Sequence, residues 1–154
     1  LAIYKDKILD PKKHNKTEII TIPENGITLY PNEIYLSVTE EYTETHNHVP
    51  FLDGKSSIGR LGIDIHATAG KGDVGFCNHW TLELSVKRPV KVYPGMPIGQ
   101  LIYFKVKGKV INPYNKNPSS KYLGKQPIPV ESMLWKEFLN SNNKLKGVQN
   151  DFNH

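Results

Sequence analysis

Short apolar runs separated by glycine and proline make up most of the chain. Runs of this length, rich in β-branched and aromatic residues and bounded by turn residues, are typical of strands. The pattern predicts strands over residues 19–22, 27–30, 34–38, 63–66, 80–84, 90–92 and 98–104. Many short strands with regular turn signals indicate an all-β sandwich or barrel rather than a parallel α/β sheet.

The best candidate for a helix lies near the C-terminal end. Apolar residues recur at helical intervals over residues 130–140, namely Met133, Leu134, Trp135 and Phe138. Residues 141–154 are rich in Asn and Lys, and we expect them to form a loose polar tail. A chain of 154 residues fits one domain. The sequence therefore predicts a single β domain over residues 1–140 that ends in one short helix.

Residues 80–85 alternate strictly between apolar and polar side chains. Successive side chains of a strand point to opposite faces, so Glu83 lies mid-strand on the polar face, between Thr81 and Ser85. A glutamate in this position is either a solvated strand residue or a functional carboxylate. Asp73, within a glycine-rich stretch, is by the same reasoning either a turn residue or part of a site.

Residues 54–62 have the composition of a loop that leads into a single helical turn. A glycine is followed by a lysine and paired serines, and helical geometry would bring Ser56 and Arg60 onto one face. Backbone N–H groups, hydroxyls and a guanidinium together can hold a phosphate. The order of residues is not that of a P-loop.

Charge and cysteine content narrow the class of protein. The net charge of +5 suits a polyanionic ligand, and among the 20 Lys and Arg residues only Arg60 and Arg88 are arginine. The lysines are scattered and not interleaved with aromatic residues, so we expect no nucleic-acid partner. No apolar run approaches the ~20 residues that span a bilayer, so we expect no membrane partner. The single cysteine, Cys77, excludes an internal disulfide framework and suits the cytoplasm.

Metal-dependent chemistry of the zinc deaminases does not fit this sequence. Those enzymes carry a His-x-Glu and a Pro-Cys-x-x-Cys motif, whose His and Cys residues hold zinc, and neither motif is present here. The pair His46-x-His48 is interpreted as part of a polar loop between strands. We therefore expect no zinc and no metal held by protein ligands alone.

Several motifs, taken in order, resemble the dCTP deaminase family of the deoxyuridine triphosphatase-like superfamily. They are Gly54-Lys-Ser-Ser-Ile-Gly-Arg-Leu-Gly62, His66-Ala-Thr-Ala-Gly70, Asp73-x-Gly75-Phe76, Thr81-Leu-Glu-Leu-Ser85 and Tyr93-Pro-Gly-Met-Pro-Ile-Gly-Gln-Leu101. The dense match spans residues 54–104, and a looser one reaches Tyr114, Lys121 and Tyr122. The resemblance implies a distorted β-barrel or jelly-roll-like fold and a homotrimer with its sites between subunits.

The resemblance also implies catalytic roles. Glu83 matches the general base that shuttles a proton, and Ser56 and Arg60 match residues that bind phosphate and order the attacking water. Asp73 matches the residue that contacts the deoxyribose. One carboxylate can serve first as base and then as acid when its pKa is suitable.

The remaining matched residues are expected to bind substrate. The backbone at Thr68 and Ala69 matches the part that holds the cytosine edge, and Tyr114 and Lys121 match residues that close over sugar and triphosphate. The other substrate-binding candidates are Lys55, Ser57, Gln100 and Gln126. Magnesium is expected on the triphosphate, because Mg²⁺ is usually bound together with substrate phosphates.

Three positions depart from the family pattern. Lys55 stands where arginine is frequent, which keeps the charge but loses the planar fork. Gln126 lies one place later than the usual glutamine, which would change how the closing segment binds phosphates. Gly72 replaces an apolar residue before Asp73, and we expect it to loosen that loop.

The resemblance leaves four activities open. The chain deaminates dCTP to dUTP, or it also cleaves the triphosphate to dUMP and pyrophosphate, with Asp73 orienting a second water. A plain dUTP diphosphatase is less compatible with Glu83 in Thr-Leu-Glu-Leu-Ser. A regulatory nucleotide-binding homologue without turnover is the remaining alternative.

Overall fold

The computed structural model describes residues 1–124 and 127–140, and strands account for most of the regular structure there. The strands are β1 Ala2–Tyr4, β2 Thr17–Ile19, β3 Ile27–Leu29, β4 Tyr35–Glu44, β5 His48–Gly54, β6 Ile63–Asp64, β7 Cys77–Val86, β8 Val90–Val92 and β9 Gly99–Lys105. One helical turn, α1, spans Ser56–Gly59, and a 3-10 turn spans Tyr114–Lys116. The all-β prediction is confirmed.

The described strands form three sheets. The largest has the order β2-β1-β4-β7-β6, and two further pairs are β3-β8 and β5-β9. The pairs β1-β4, β4-β7, β6-β7, β3-β8 and β5-β9 are antiparallel. A barrel requires every strand to be paired on both sides, but β2 and β6 end the large sheet with one partner each. Within the described part of the chain, the expected barrel is therefore not closed.

Strand β7 lies inside the large sheet and follows the predicted alternation along its whole length. Its buried side chains include Leu82 and Leu84, which are 3% and 2% exposed. Burying an aliphatic side chain stabilises a fold by about 1.5–3 kcal/mol. These residues belong to a core that also contains Leu1, Leu29, Tyr35, Leu52, Ile58, Ile63, Ile65, Trp80, Val86 and Val92. The apolar face of β7 is thus fixed in the interior, and the polar face must point away from it.

Strand β4 carries a bulge opposite Trp80. The register with β7 shifts between Val38 and Tyr42. The Thr39 hydroxyl accepts the Trp80 backbone N–H at 2.9 Å, and the Trp80 indole N–H donates to the Thr43 hydroxyl at 2.9 Å. β4 has two more residues than β7 in this stretch, which leaves the Trp80 backbone N–H without a ladder partner, and the Thr39 hydroxyl supplies one.

Two strands were not predicted. β1 is only three residues long. β5 contains Pro50, and a proline in the sequence argues against a strand. Pro50 is nonetheless fully buried, and its carbonyl accepts the Gly72 N–H at 2.8 Å. Proline is tolerated at this position because it has no backbone N–H, so no donor is left without a partner.

The C-terminal helix begins later than predicted. Residues 135–140 are helical, whereas the expected range begins at residue 130. Just before the helix, the Ser132 hydroxyl accepts the Leu134 N–H at 3.4 Å. The predicted tail, 141–154, lies outside the described residues. No helix in the described part of the chain is long and apolar enough to cross a membrane.

The chain divides into two compact units by its internal contacts. The first consists of Leu1–Ile3 and Ile19–Val130 and contains the hydrophobic core around Leu82 and Leu84. The second consists of Tyr4–Glu18 and, among the described residues, 131–140. In this second unit His14 bonds to Glu131 at 2.8 Å and packs edge-on against Trp135, with ring centroids 5.6 Å apart. The single-domain interpretation stays a prediction.

Gly72 is a tight position, contrary to the expectation that it loosens its loop. A Cβ atom there would lie 2.6 Å from Trp80 Cη2 and 2.9 Å from Pro50 Cγ. We predict that Gly72→Ala destabilises the protein by about 1–3 kcal/mol, because these buried rings would have to shift. Urea unfolding measures the change. Gly59→Ala is the matched control, since nothing lies within 4 Å of its added Cβ, and equal losses in both variants would contradict the prediction.

Candidate active site

Glu83 is half-buried and held at two points by the backbone that follows β6. Its own N–H donates to the Ile65 carbonyl at 3.1 Å. One carboxylate oxygen, Oε2, accepts the Ala67 N–H at 3.2 Å. In the described part of the chain, no protein group bonds to the other oxygen, Oε1. The carboxylate is therefore oriented by a backbone amide and keeps one oxygen for a further partner.

The loop that contains Thr68 and Ala69 begins directly beside Glu83, and both residues are exposed. Its far end is pressed against β5, since the Leu52 N–H donates to the Gly70 carbonyl at 2.7 Å. A Cβ on Gly70 would lie 3.0 Å from His66 Nε2 and closer still to the Leu52 carbonyl oxygen. Only glycine allows this approach. Both ends of the loop are thus fixed, and its middle is accessible.

A second carboxylate lies on the same face of the sheet as Glu83. Asp64 pairs with Ser85 across β6 and β7, accepts its hydroxyl at 3.4 Å and lies 2.7 Å from Lys87 Nζ. The Lys87 ammonium, hydrogen-bonded to Asp64, holds the pKa of that carboxyl below its ordinary value. Sequence reasoning missed this group, although the alternation Asp64-x-His66 in a short strand is a signal that could have found it.

The segment that carries Ser56 and Arg60 folds as predicted. The Arg60 N–H donates to the Ser56 carbonyl at 3.1 Å, which closes one helical turn. Ile58 is buried and anchors the turn, while Ser56, Ser57 and Arg60 are exposed. The helix begins after Lys55, whose side chain makes no capping bond. The turn therefore presents hydroxyls and a guanidinium to solvent on a fixed base.

Gln100 lies beside the start of this segment. Its Nε2 donates to the Gly54 carbonyl at 3.3 Å, and Gln100 pairs with Asp53 across β5 and β9. The Lys55 N–H donates to the Ile98 carbonyl at 3.4 Å. The structure thus brings Gln100 to the segment that contains Ser56 and Arg60, as a common site would require.

Asp73 and Tyr114 form a separate group. Asp73 is exposed and lies 3.5 Å from Lys71 Nζ. The Tyr114 N–H donates to the Val74 carbonyl at 2.7 Å. Burial raises the pKa of the Tyr114 hydroxyl, and the nearby Asp73 charge adds to this effect. Asp73 and Tyr114, far apart in sequence, are therefore neighbours.

Within the described chain, no hydrogen bond or ion pair joins Glu83 to Ser56, Arg60 or Asp73. The predicted residues fall into three groups, around Glu83, around α1 and around Asp73. Lys121 is half-buried and directly precedes Tyr122, whose N–H donates to the Tyr114 hydroxyl at 3.0 Å. Gln126 lies outside the described residues.

A cavity of about 610 Å³ lies on the opposite side of β7. Leu82 and Leu84 line it, so it faces the apolar side of the strand, and Glu83 does not contribute to it. Gln100 lines it as well. Because the catalytic candidates point elsewhere, the cavity is not the site proposed from the sequence. Among the described residues, no three His, Cys, Asp or Glu side chains are grouped so that they could hold a metal ion.

Comparisons with known proteins show the family to which the chain is similar. Residues 2–106 match the family model described as dCTP deaminase-like. The chain is 49% identical over 140 residues to a Clostridium acetobutylicum protein, covering 91% of this chain and 78% of that protein. A Cytophaga hutchinsonii protein is 47% identical over 138 residues, with 90% and 77% covered. Both relatives are named dCTP deaminase, dUMP-forming.

The match to the family model includes Glu83, α1 and the loop between Asp64 and Gly75, and it ends before Tyr114. The family prediction is therefore confirmed over the part of the chain where the sequence motifs are densest. A model match of this extent and relatives at this identity establish that the chain belongs to the dCTP deaminase-like family.

Proposed function

We propose that this protein deaminates dCTP and releases dUMP, with Glu83 as the base and acid of the deamination. The observation that carries the proposal is the bond from the Ala67 N–H to Glu83 Oε2 at 3.2 Å, next to the accessible loop with Thr68 and Ala69. A base fixed by the same backbone stretch that contacts the pyrimidine would need no further rearrangement to reach C4. The relatives named dUMP-forming support the second reaction.

In the deamination, water adds to C4 of cytosine and ammonia leaves. Glu83 Oε1 accepts a proton from the water as the C–O bond forms. As the C4–N3 double bond opens, the carboxyl passes this proton to N3. It then takes the proton of the new C4 hydroxyl and gives it to the amino group, so that the C–N bond breaks, the C4 carbonyl forms and ammonia leaves. A half-buried carboxylate with one oxygen already bonded presents the other in a defined direction. General acid–base catalysis of this kind contributes typically 10²–10⁴-fold.

The α1 segment would bind phosphate and polarise the water. Ser56, Ser57 and Arg60 are exposed on a turn that Ile58 anchors, so their donors can face a ligand without a change of the fold. Preorganised donors of this type stabilise developing negative charge. Lys55, Gln100, Lys121 and Gln126 are proposed to contact the triphosphate, which carries the Mg²⁺.

Asp73 would serve the second reaction. In the proposal, its carboxylate orients a water that attacks the α-phosphorus of dUTP, the bond to the β-phosphate breaks, and pyrophosphate leaves with dUMP. The Lys71 ammonium lies 3.5 Å from the Asp73 carboxylate, and Tyr114, its neighbour, would contact the sugar. A carboxylate beside a tyrosine suits both sugar binding and water orientation.

We further propose a homotrimer in which each site combines residues from two subunits. Supporting this, Glu83 has no bond to Ser56 or Arg60 within the described part of its own chain. Strand β9 also leaves Ile102, Tyr103 and Phe104 42%, 50% and 54% exposed. Adjacent exposed apolar side chains of this size typically mark an interface. The cytoplasm is the proposed location, because a free thiol and a nucleotide substrate suit that compartment.

The alternatives differ in product. A protein that only deaminates would accumulate dUTP, and a dUTP diphosphatase would leave dCTP intact. A regulatory homologue would release nothing from either nucleotide. The retained Glu83 and its amide partner favour turnover, and the names of the relatives favour dUMP as the product.

Removal of the proposed base gives the first test. We expect Glu83→Gln to reduce ammonia release from dCTP by about 10²–10⁴-fold, because the amide cannot accept the proton from water. Ammonia is measured with dCTP and magnesium. Glu24→Gln, an exposed site on a turn, is the control with the same chemical change. Near-normal ammonia release by Glu83→Gln would rule out the proposed role.

The role of Asp73 is tested by the products. We expect Asp73→Asn to release ammonia but to shift the product from dUMP towards dUTP, because the amide orients the second water poorly. Nucleotides are separated and quantified after a fixed conversion of dCTP. An unchanged ratio of dUMP to dUTP would show that Asp73 acts in binding alone.

If each site combines residues from two subunits, two inactive variants should restore activity when they are co-expressed. Co-expressed Glu83→Gln and Arg60→Ala chains should regain activity, since about a quarter of sites in randomly mixed trimers would carry both intact residues. Each variant alone should stay inactive. Sedimentation of the wild-type protein at three times the 17.5 kDa chain mass is the accompanying expectation. Mixed trimers without activity would place both residues in one subunit.

A further inference from the structure

The segment over residues 113–122 is attached beside Asp73 at its start, and hydrogen bonds within the segment hold its end to Tyr114. At its start, the Tyr114 N–H donates to the Val74 carbonyl at 2.7 Å. At its end, the Tyr122 N–H donates to the Tyr114 hydroxyl at 3.0 Å, and the Ser120 hydroxyl donates to the Tyr114 carbonyl at 2.7 Å. Tyr114 is thus the internal anchor of the segment, and Lys121 lies next to its far end.

Asn78 ties this segment to strand β7. Its side chain is buried, with 7% exposed, and Nδ2 donates to the Tyr122 carbonyl at 3.1 Å. Its Oδ1 accepts the His79 N–H at 2.8 Å. Both ends of the amide are therefore occupied, one by the strand and one by the segment. A buried amide with both ends bonded has one preferred orientation.

The strand beneath Asn78 is a rigid base for such a tie. Asn78 pairs with Thr43 of β4, and the Thr43 hydroxyl donates to the Asn78 carbonyl at 3.4 Å. The Phe76 ring, two residues earlier, packs against the Tyr114 ring with centroids 5.8 Å apart. A Cβ on Gly75 would lie 2.8 Å from the Tyr114 nitrogen, so the segment approaches the strand closely here.

We propose that Asn78 is a positioning residue, which holds the segment 113–122 so that Tyr114 and Lys121 face the substrate beside Asp73. It touches no reacting atom and acts through the Tyr122 carbonyl. The inference rests on the proposed function, since Tyr114 and Lys121 are substrate-binding residues only there. In this proposal, Asn78, a residue outside the segment, determines where Tyr114 and Lys121 lie.

The test compares substitutions that differ in charge and hydrogen-bonding capacity. Asn78→Asp keeps an acceptor for the His79 N–H but loses the donor and sets a carboxylate against the Tyr122 carbonyl. Asn78→Ala removes both bonds. Asn112→Asp, at an exposed position just before the segment, introduces the same charge and is the matched control. Circular dichroism and thermal unfolding establish that each variant is folded.

Steady-state kinetics separate positioning from general stability. We expect Asn78→Asp to raise KM for dCTP by about tenfold and to change kcat by less than about twofold, because loss of the Nδ2 donor and repulsion between the new carboxylate and the Tyr122 carbonyl weaken docking of the segment but not the chemistry at Glu83. Asn112→Asp should change neither constant by more than about twofold. A variant that only lost folded protein would show lower kcat at unchanged KM.

Limited trypsin digestion gives a readout that does not need turnover. Mass spectrometry follows cleavage after Lys116 and Lys121, with and without dCTP. We expect Asn78→Asp to be cut several-fold faster at these two sites than the wild type and Asn112→Asp, and dCTP to protect it less. Wild-type protection by dCTP without turnover would count against the proposed function while still testing the role of Asn78.

Two results would overturn the proposal. If cleavage after Lys116 and Lys121 is unchanged in Asn78→Asp and Asn78→Ala, Asn78 does not hold the segment. If cleavage accelerates while KM and dCTP protection stay at wild-type values, the segment is held but its position does not serve the substrate. Non-additive effects of Asn78→Ala and Tyr114→Phe would support the proposal, since both act on the backbone of Tyr122.

Discussion

The two-residue period of strand β7 is the constraint on which the site depends. Leu82 and Leu84 are buried in the core, so the residue between them must point to the opposite face. Pairing with β4 on one side and β6 on the other prevents the strand from slipping by one residue, which would exchange the two faces. Burial of Leu82 and Leu84 on either side therefore determines the face to which the Glu83 side chain points.

Close backbone approaches then bring the partners of the strand within reach. The chain beyond β6 passes Glu83, where Ala67 donates its N–H, and returns to β5 at Gly70. A side chain at Gly70 or Gly75 would meet backbone atoms of Leu52 or Tyr114. Gly70 and Gly75 therefore allow neighbouring segments to pack closely, in addition to making the loops flexible.

Two aspartates at the candidate site each lie next to a lysine. Asp64 is bonded to Lys87, and Asp73 lies near Lys71. These groups are largely exposed, so the pairs contribute little to stability and act mainly by fixing where charge lies around Glu83 and Tyr114. An anionic substrate would meet exposed cations at Lys71 and Arg60, in keeping with the net charge of +5.

The sequence by itself determined the all-β class, the alternation of β7, the turn at Ser56–Gly59 and the family, because these depend on local periodicity, turn residues and contiguous motifs. It missed β5, since burial of Pro50 depends on β9 and on residues 70–72. It also missed Asp64 with Lys87, and Asn78 with Tyr122, because each pair joins residues far apart in the chain. Only the tertiary structure decided these contacts, since sheet register and close packing, which no short segment encodes, bring such residues together.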